Sequence, residues 1–318
     1  MKILTKEQTA EYLTQNDGFV ILTHRRPDGD TLGSAAVLCR GLRQLGKAAH
    51  ILRNPEITAK YAHLHEGLTT ETVADSDILI AVDTASAGML PETFAPYADR
   101  IALRIDHHGT ADSFTEMELV EPGAAACGEL VCRVLLLMGV QVDKPMANAL
   151  YTAISTDTGC FRYANTTPEI LECAAMCAYC GADLFAINQE LFDTNSLGRL
   201  RVQGWIVEHA IFLENGAIAI CPLPRAVEEE LGLTEDDLEN ISGFPRSIEG
   251  VKIAATLREE SSGRIKISVR AVPGYDAAAI CASFGGGGHK GAAGASMTCS
   301  MNEAVAAIKD VLLKASLV

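Results

Sequence analysis

Aspartate and histidine recur at four points where an apolar run or a helical segment ends. His24, Asp28 and Asp30 lie in HRRPDGD, Asp83 closes ILIAVD, Asp106, His107 and His108 follow IALRI, and Asp157 lies in STDTGCFRY. One aspartate at a strand end is more often a helix cap or turn former than a ligand. Caps do not explain three strand tips and a helix end that all supply Asp or His. Neutral imidazoles and hard carboxylates without a thiolate suit manganese or magnesium, with zinc after them, and disfavour a Cys-type structural zinc site. So many such groups in one cleft would repel or neutralise one another unless divalent cations compensated them. A bridging carboxylate can hold two ions about 3.5–4 Å apart, a geometry that lowers the pKa of a bound water and stabilises in-line displacement at phosphorus.

These residues need a scaffold that brings them to one edge. FVILTH, AAHILR, ILIAVDT and IALRIDHH read as strands, and TLGSAAVLCRGLRQLG and GELVCRVLLLMG as helices between or after them. That rhythm predicts an α/β fold, an open and mostly parallel sheet with helices on both faces, whose ligands bind at the carboxyl ends of the strands. KPMANALYTAISTDTG and the segment from Pro168 to Gly181 follow as helices. Beyond them GAIAICPL, GVKIAATLREE, GRIKISVRAV and AGASMTC read as strands of a smaller α+β domain, with EESSGR a hairpin turn. The expected organisation is a metal-binding domain over 1–185, a helical linker over 186–210 and a second domain over 211–318. No internal repeat or low-complexity tract interrupts it.

With 318 residues, 48% of them hydrophobic and 21% charged, the composition is globular. MKILTKEQTAEYL is amphipathic and lacks a long apolar core, and VLLLMGV is too short to span a bilayer. A cytoplasmic protein without membrane contact is the expectation. The ten cysteines lie within apolar patterns and read as reduced thiols. Cys173, Cys177 and Cys180 have the C-x3-C-x2-C spacing of an iron–sulfur site, but on a helix they share one face and read as core. The net charge of −15 is a poor match for gripping long nucleic acid. It is unevenly spread: residues 241–318 carry nine Lys/Arg against six Asp/Glu, leaving −18 for the remainder. An acidic metal-binding body joined to a mildly basic, anion-binding end fits that division.

HRRPDGDTLGS, AVDTAS, IDHHGTAD and AISTDTGCFRYANTTPE together resemble the four motifs of the DHH phosphoesterase superfamily. SVRA followed by FGGGGHKGAAG resembles the RNA-binding domain that accompanies one of its subfamilies. The likeness is greatest to the bacterial nano-RNase/pAp-phosphatase branch and spans nearly the whole chain. It implies that His24 and Asp28 bind one metal ion, that Asp83 bridges two, and that Asp30, His107 and Asp157 complete the second site. It places Asp106 behind the metals, orienting a ligand imidazole. His108 then faces the substrate, where it stabilises or protonates an oxygen. The implied cofactors are two divalent ions, Mn2+ first and Mg2+ or another divalent ion as alternatives.

GGGGHKGAAG is not a Walker loop, because Gly291 follows Lys290 where Ser or Thr would be needed. Composition alone admits a flexible turn. Gly286, Gly287 and Gly288 would also let backbone N–H groups approach an anion closely, beside His289. Arg270 reads either as a solvated strand residue or as a bidentate phosphate contact, and the resemblance favours the contact. Arg162 is a second, weaker phosphate candidate. The implied activity is hydrolysis of very short RNA, about two to five nucleotides, from the 3′ end, and removal of the 3′-phosphate from 3′-phosphoadenosine 5′-phosphate; the charge fits such short substrates better than polymers, and no long nucleic acid is expected as a partner. A phosphodiesterase for cyclic di-AMP or its linear product pApA, and a non-catalytic nucleotide-binding protein, are the alternatives. A homodimer is compatible with the sequence. His50, His63, His65 and His209 have no partners in the sequence and read as surface or helix positions, Trp205 and Phe192 as core, and EEELGLTEDDLEN as a solvated acidic face.

Overall fold

Strands that are apolar at nearly every position must be covered on both faces. The computed structural model describes residues 1–109 and 113–315, so the tail of IDHHGTAD at 110–112 lies outside the described residues. The chain divides after Thr194 into two units. The first holds β1 (Lys2–Ile3), α1 (Lys6–Gln15), β2 (Phe19–Leu22), α2 (Gly29–Gln44), β3 (Ala49–Leu52), β4 (Thr69–Thr70), β5 (Ile78–Val82) and β6 (Ile101–Asp106). It continues with β7 (Met117–Val120), α3 (Cys127–Leu137), α4 (Lys144–Asp157), α5 (Pro168–Tyr179) and α6 (Leu184–Asn188).

Among the described residues this sheet has seven parallel strands in the order β1-β7-β6-β5-β2-β3-β4. Chain order reverses between β2 and β5, the switch point where ligands of open parallel sheets bind. Alternation along the strands sends Phe19, Ile21, Ile80, Val82, Leu103 and Ile105 to the face packed by the α-helices. Val20, Leu22, Leu79 and Ala81 point the other way, under Leu90 and Phe94; Phe94 belongs to a 3-10 segment (Glu92–Arg100). Helical segments therefore cover both faces, by different means.

Helix starts follow local chemistry. Asp28 caps α2, Asp143 caps α4, whose second residue is Pro145, and Thr167 caps α5 ahead of Pro168. The α2–α4 crossing is close because residue 33 has no side chain. A Cβ on Gly33 would stand 2.4 Å from the Ala149 carbonyl oxygen.

The second unit contains α7 (Leu197–His209), β8 (Ile211–Leu213), β9 (Ile218–Leu223), α8 (Arg225–Leu231), α9 (Glu235–Leu238), β10 (Ile253–Glu259) and β11 (Ile265–Ala271). It ends with α10 (Ala277–Ala282), β12 (Gly287–Gly288), β13 (Ala292–Met297) and α11 (Met301–Ala315). Among the described residues its sheet runs β12-β13-β11-β10-β9-β8, with β9–β10 parallel and the other pairs antiparallel. EESSGR forms the β10–β11 hairpin turn, in which Gly263 takes φ +76°.

Several expectations need correction. The run over 186–210 is helical but does not form a separate linker, since the division between the units falls inside it, after Thr194. It breaks after a π-helical turn (Gln189–Asp193), and Ser196 caps a new helix, α7, whose Val202 and Ile206 pack into the second unit. His65 is buried, and its Nε2–H donates to the Leu32 carbonyl at 2.9 Å. His209 stacks on Trp205 at 3.5 Å between ring centroids, and His50 accepts from Arg43 at 2.9 Å. The acidic run is only partly solvated, because Glu228 is buried against Arg258 and Asp237 closes a capping box at α9. All ten cysteines are free, with Cys132, Cys173 and Cys177 together in the core.

Candidate metal centre

The carboxyl ends of β2, β5 and β6 and the last turn of α4 converge on one set of donor atoms. His24 Nε2 lies 3.7 Å from Asp28 Oδ1 and 3.6 Å from Asp83 Oδ2. His107 Nε2 lies 3.7 Å from Asp30 Oδ2, 3.4 Å from Asp83 Oδ1 and 3.4 Å from Asp157 Oδ2. Two candidate groups result, His24–Asp28–Asp83 and Asp30–His107–Asp157, and a third joins Asp83 and His107 to His108. The six side chains expected to be ligands are thus together.

These separations are too long for hydrogen bonds. They match two donors about 2.1 Å from a shared cation and about 110–120° apart, which stand about 3.4–3.6 Å from each other. The histidine tautomers agree. A carbonyl can only accept, so His24 Nδ1–H donates to Arg25 O at 2.8 Å and His107 Nδ1–H to Ala124 O at 3.2 Å. Each ring then turns an Nε2 lone pair toward carboxylate oxygens, a contact that calls for a cation between them. Asp83 presents Oδ2 to His24 and Oδ1 to His107, and buried Oδ1 accepts no hydrogen bond among the described residues. One carboxylate divided between two donor sets is the shape of a bridge.

The electrostatics give the same answer. Burial alone would lower the His24 and His107 imidazoles, but facing carboxylates outweigh it and push them up to about 11 and about 10. Burial pushes Asp157 up to about 7, with Asp83 and Asp28 adding to the rise and His107 opposing it. Burial, Asp83 and Asp157 also drive Asp30 upward. All four directions describe a site short of positive charge, and a divalent cation supplies that charge in place of protons. The donor set therefore fits two divalent ions.

Local structure holds these groups in place. Asp30 accepts from Ser34 Oγ (3.0 Å), Cys127 N (2.7 Å) and Gly128 N (2.9 Å), which seats it on the amino end of α3. Asp28 both caps α2, through Asp30 N at 3.1 Å and Thr31 N at 3.2 Å, and faces His24. The Thr31 hydroxyl ties α2 to the tip of β5 by donating to Val82 O at 3.1 Å. Asp83 itself has a positive φ (53°), as do Arg26 (50°), between His24 and Asp28, and Cys160 (56°) and Phe161 (60°), shortly after Asp157.

Asp106 differs from its expected role. Its Oδ1 accepts from His108 Nδ1 at 2.7 Å and from the backbone N–H of His107 and His108, so it orients the His108 ring and not a ligand imidazole. The Ala124 carbonyl does that for His107. The Asp106 hydrogen bond raises His108, whose ring is partly exposed.

In the second unit, Arg270 pairs in register with Ala292, and His289 N donates to Ala292 O at 2.8 Å, which brings Arg270 and the Gly-His turn together. Burial lowers Arg270. Gly286 and Gly288 have a steric role, since a Cβ would stand 2.2 Å from Gly294 O or 2.6 Å from Ala293 Cα. Gly287 is exposed. Arg162 turns back to the Gly159 carbonyl at 2.6 Å and lies over the Phe192 ring.

Sequence reasoning missed Arg104, Glu118 and Asn54. Arg104 is buried, donates to Glu118 at 2.9 Å and to Ala85 O at 3.0 Å, and lies 3.8 Å from Asp106. A charged residue inside the apolar runs IALRI and MELV was the available signal.

Residues 18–154 match the DHH family, N-terminal domain, and residues 216–314 the DHHA1 domain. Over 91% of its length the chain is 33% identical to the bifunctional oligoribonuclease and PAP phosphatase NrnA of Thermus thermophilus, of which it covers 87%. The chain belongs to the DHH family. This DHH protein is 25% identical to the Bacillus subtilis protein of the same name, over 92% of the chain and 93% of that protein. It also superposes on an exopolyphosphatase-related protein from Bacteroides fragilis with a TM-score of 0.88 and 25% identity, covering 97% of this chain and 95% of that one. It is a metal-dependent phosphoesterase. Among its described residues no helix is long and apolar enough to cross a membrane.

Proposed function

We propose that this phosphoesterase degrades very short oligoribonucleotides from the 3′ end to mononucleotides and removes the 3′-phosphate of 3′-phosphoadenosine 5′-phosphate. One observation carries the reading: the two oxygens of Asp83 face two separate histidine–carboxylate sets. His24, Asp28 and Asp83 would hold one divalent ion, and Asp83, Asp30, His107 and Asp157 the other, with manganese the first to test. Bound there, two such ions supply Lewis-acid charge to a phosphoryl group and acidify water. His24 and His107 present fixed Nε2 lone pairs, so little reorganisation is needed on loading. His108, held through Nδ1 by Asp106, keeps Nε2 for a proton shared with the leaving oxygen. Within the second unit, Arg270 and the turn from Gly286 to His289 are proposed contacts for a nucleotide, and within the first unit Arg162 is a proposed phosphate contact. The names of the relatives from Thermus thermophilus and Bacillus subtilis support this choice of substrates.

The test is purified protein with Mn2+ acting on a 5′-labelled RNA dimer, on 3′-phosphoadenosine 5′-phosphate and on cyclic di-AMP. Mononucleotide and free phosphate should appear. Excess chelator should abolish both activities, and Asp83→Ala should lower them by more than about 100-fold, the upper range for indirect partners of a metal ligand. Turnover of the cyclic dinucleotide alone would replace the proposed substrates. Tight binding without turnover would refute catalysis.

A further inference from the structure

The loop that carries His24 is held from behind by the segment that follows β3. Asn54 is 3% exposed and lies beyond the carboxyl end of β3, one strand over from His24. Its Nδ2 group donates to the Thr23 hydroxyl at 2.9 Å and to the His24 carbonyl at 2.8 Å. Its Oδ1 accepts the backbone N–H of Glu56 at 3.0 Å. The Glu56 carboxylate in turn accepts the backbone N–H of Arg26 at 2.8 Å, the residue held at φ 50°. Thr23, His24 and Arg26 are therefore pinned by a bracket of two residues, Asn54 and Glu56, and Asp28 follows after Pro27. A buried hydroxyl and carbonyl that lose their donor cost free energy, so the bracket resists rearrangement of this loop.

We propose that Asn54 is a positioning residue for the His24–Asp28–Asp83 cation site, acting through the Thr23–Arg26 backbone and leaving the Asp30–His107–Asp157 site unaffected. The inference rests on the two-cation reading of the cluster. The asymmetry follows from connectivity: the described contacts of Asn54 reach the β2 exit and none of the residues that seat Asp30 or His107. Partners of this indirect kind typically change metal affinity by about 10–100-fold.

Mn2+ titration followed by electron paramagnetic resonance tests this on the full chain, in the wild type, Asn54→Ala, Glu56→Ala and Leu64→Ala. The wild type should bind two ions per chain. Asn54→Ala should keep one affinity and weaken the other by about 10-fold or more. Glu56→Ala, at an exposed position that leaves the core intact, should weaken the same site by a smaller factor and speed Arg26 amide exchange in chelator-treated protein. Leu64→Ala truncates the core in the same segment and should lower stability with both affinities kept. Unchanged affinities in Glu56→Ala together with unchanged affinities, or no folded protein, in Asn54→Ala would overturn the inference, as would equal weakening of both sites or the same loss in Leu64→Ala. A wild type that binds no Mn2+ would instead refute the two-cation reading.

Discussion

Adding one methyl group at Gly33 should disable the site without altering any candidate ligand. Gly33 lies on α2, three residues after Asp30, where α4 crosses. Its Cβ would stand 2.4 Å from Ala149 O, 2.9 Å from Ala153 Cβ and 3.1 Å from Ala153 N. Ordinary contacts lie near about 3.5 Å, so α4 must retreat by about 1 Å relative to α2. Overpacking of this kind costs about 1–3 kcal/mol. For a unit of this size each kcal/mol lowers Tm by about 2–4 °C, giving a fall of about 2–12 °C. The functional loss should be larger in proportion, because α2 carries Asp28 and Asp30 while α4 ends in Asp157. A misplacement of about 1 Å at reacting groups can lower the rate by about 100-fold. The assay pairs thermal unfolding in chelator with Mn2+-dependent hydrolysis of an RNA dimer, and Gly46→Ala is the control. Gly46 has φ +79° and nothing within 4 Å, so its methyl adds backbone strain alone. Gly46→Ala should lose stability and keep its rate. A Gly33→Ala enzyme with wild-type Tm and rate, or a Gly46→Ala enzyme with the same rate deficit, would refute the view that this crossing sets the donor geometry.

Two further perturbations address buried polar groups. Burial lowers His65 to about 4 from an ordinary value near 6.5. Above pH 6.5 both folded and unfolded chains hold it neutral; as pH falls toward 4 the unfolded chain takes up a proton that the folded one refuses. Stability is therefore lost over that window by up to about 3 kcal/mol, and His65→Gln should flatten this part of a urea-unfolding profile against pH. An unchanged slope would contradict the assignment. Arg104→Met leaves the Glu118 and Asp106 carboxylates buried beside an apolar side chain and should cost about 3–5 kcal/mol in urea unfolding of chelator-treated protein. The double variant with Glu118→Leu should recover part of that loss, and a single variant as stable as the wild type would show that the pair is dispensable.

Much of the site was legible because its residues stand where local patterns end. The apolar run IALRI predicts a strand that delivers Asp106 and His107, and the cap chemistry of Asp28 and the proline-led start of α5 are visible in short windows. Asn54 escaped notice because RNPE reads as an ordinary turn, and its partners Thr23 and His24 lie 30 residues or more away. The role of Asp106 was misassigned for a related reason. Its choice between the ring of His108 and that of His107 depends on which nitrogen each ring turns, and a carbonyl from residue 124 makes that choice. The break at Thr194–Ser196 was hidden because helical periodicity continues on both sides of it, while the packing of Val202 and Ile206 belongs to another core.

Residue types and spacing determined by themselves the class of chemistry, the α/β alternation and a pool of Asp and His candidates at strand and helix ends, because each of these depends on neighbours within a turn or a strand; the likeness to the DHH family singled out six of them. The tertiary structure alone decided that Asp83 divides its oxygens between two histidines, that Asp30 is seated on the amino end of α3, and that Arg104 and Asn54 support the site from behind. Those relations join strands and helices far apart in the chain, and contacts of about 3 Å between distant segments are set by how whole elements pack.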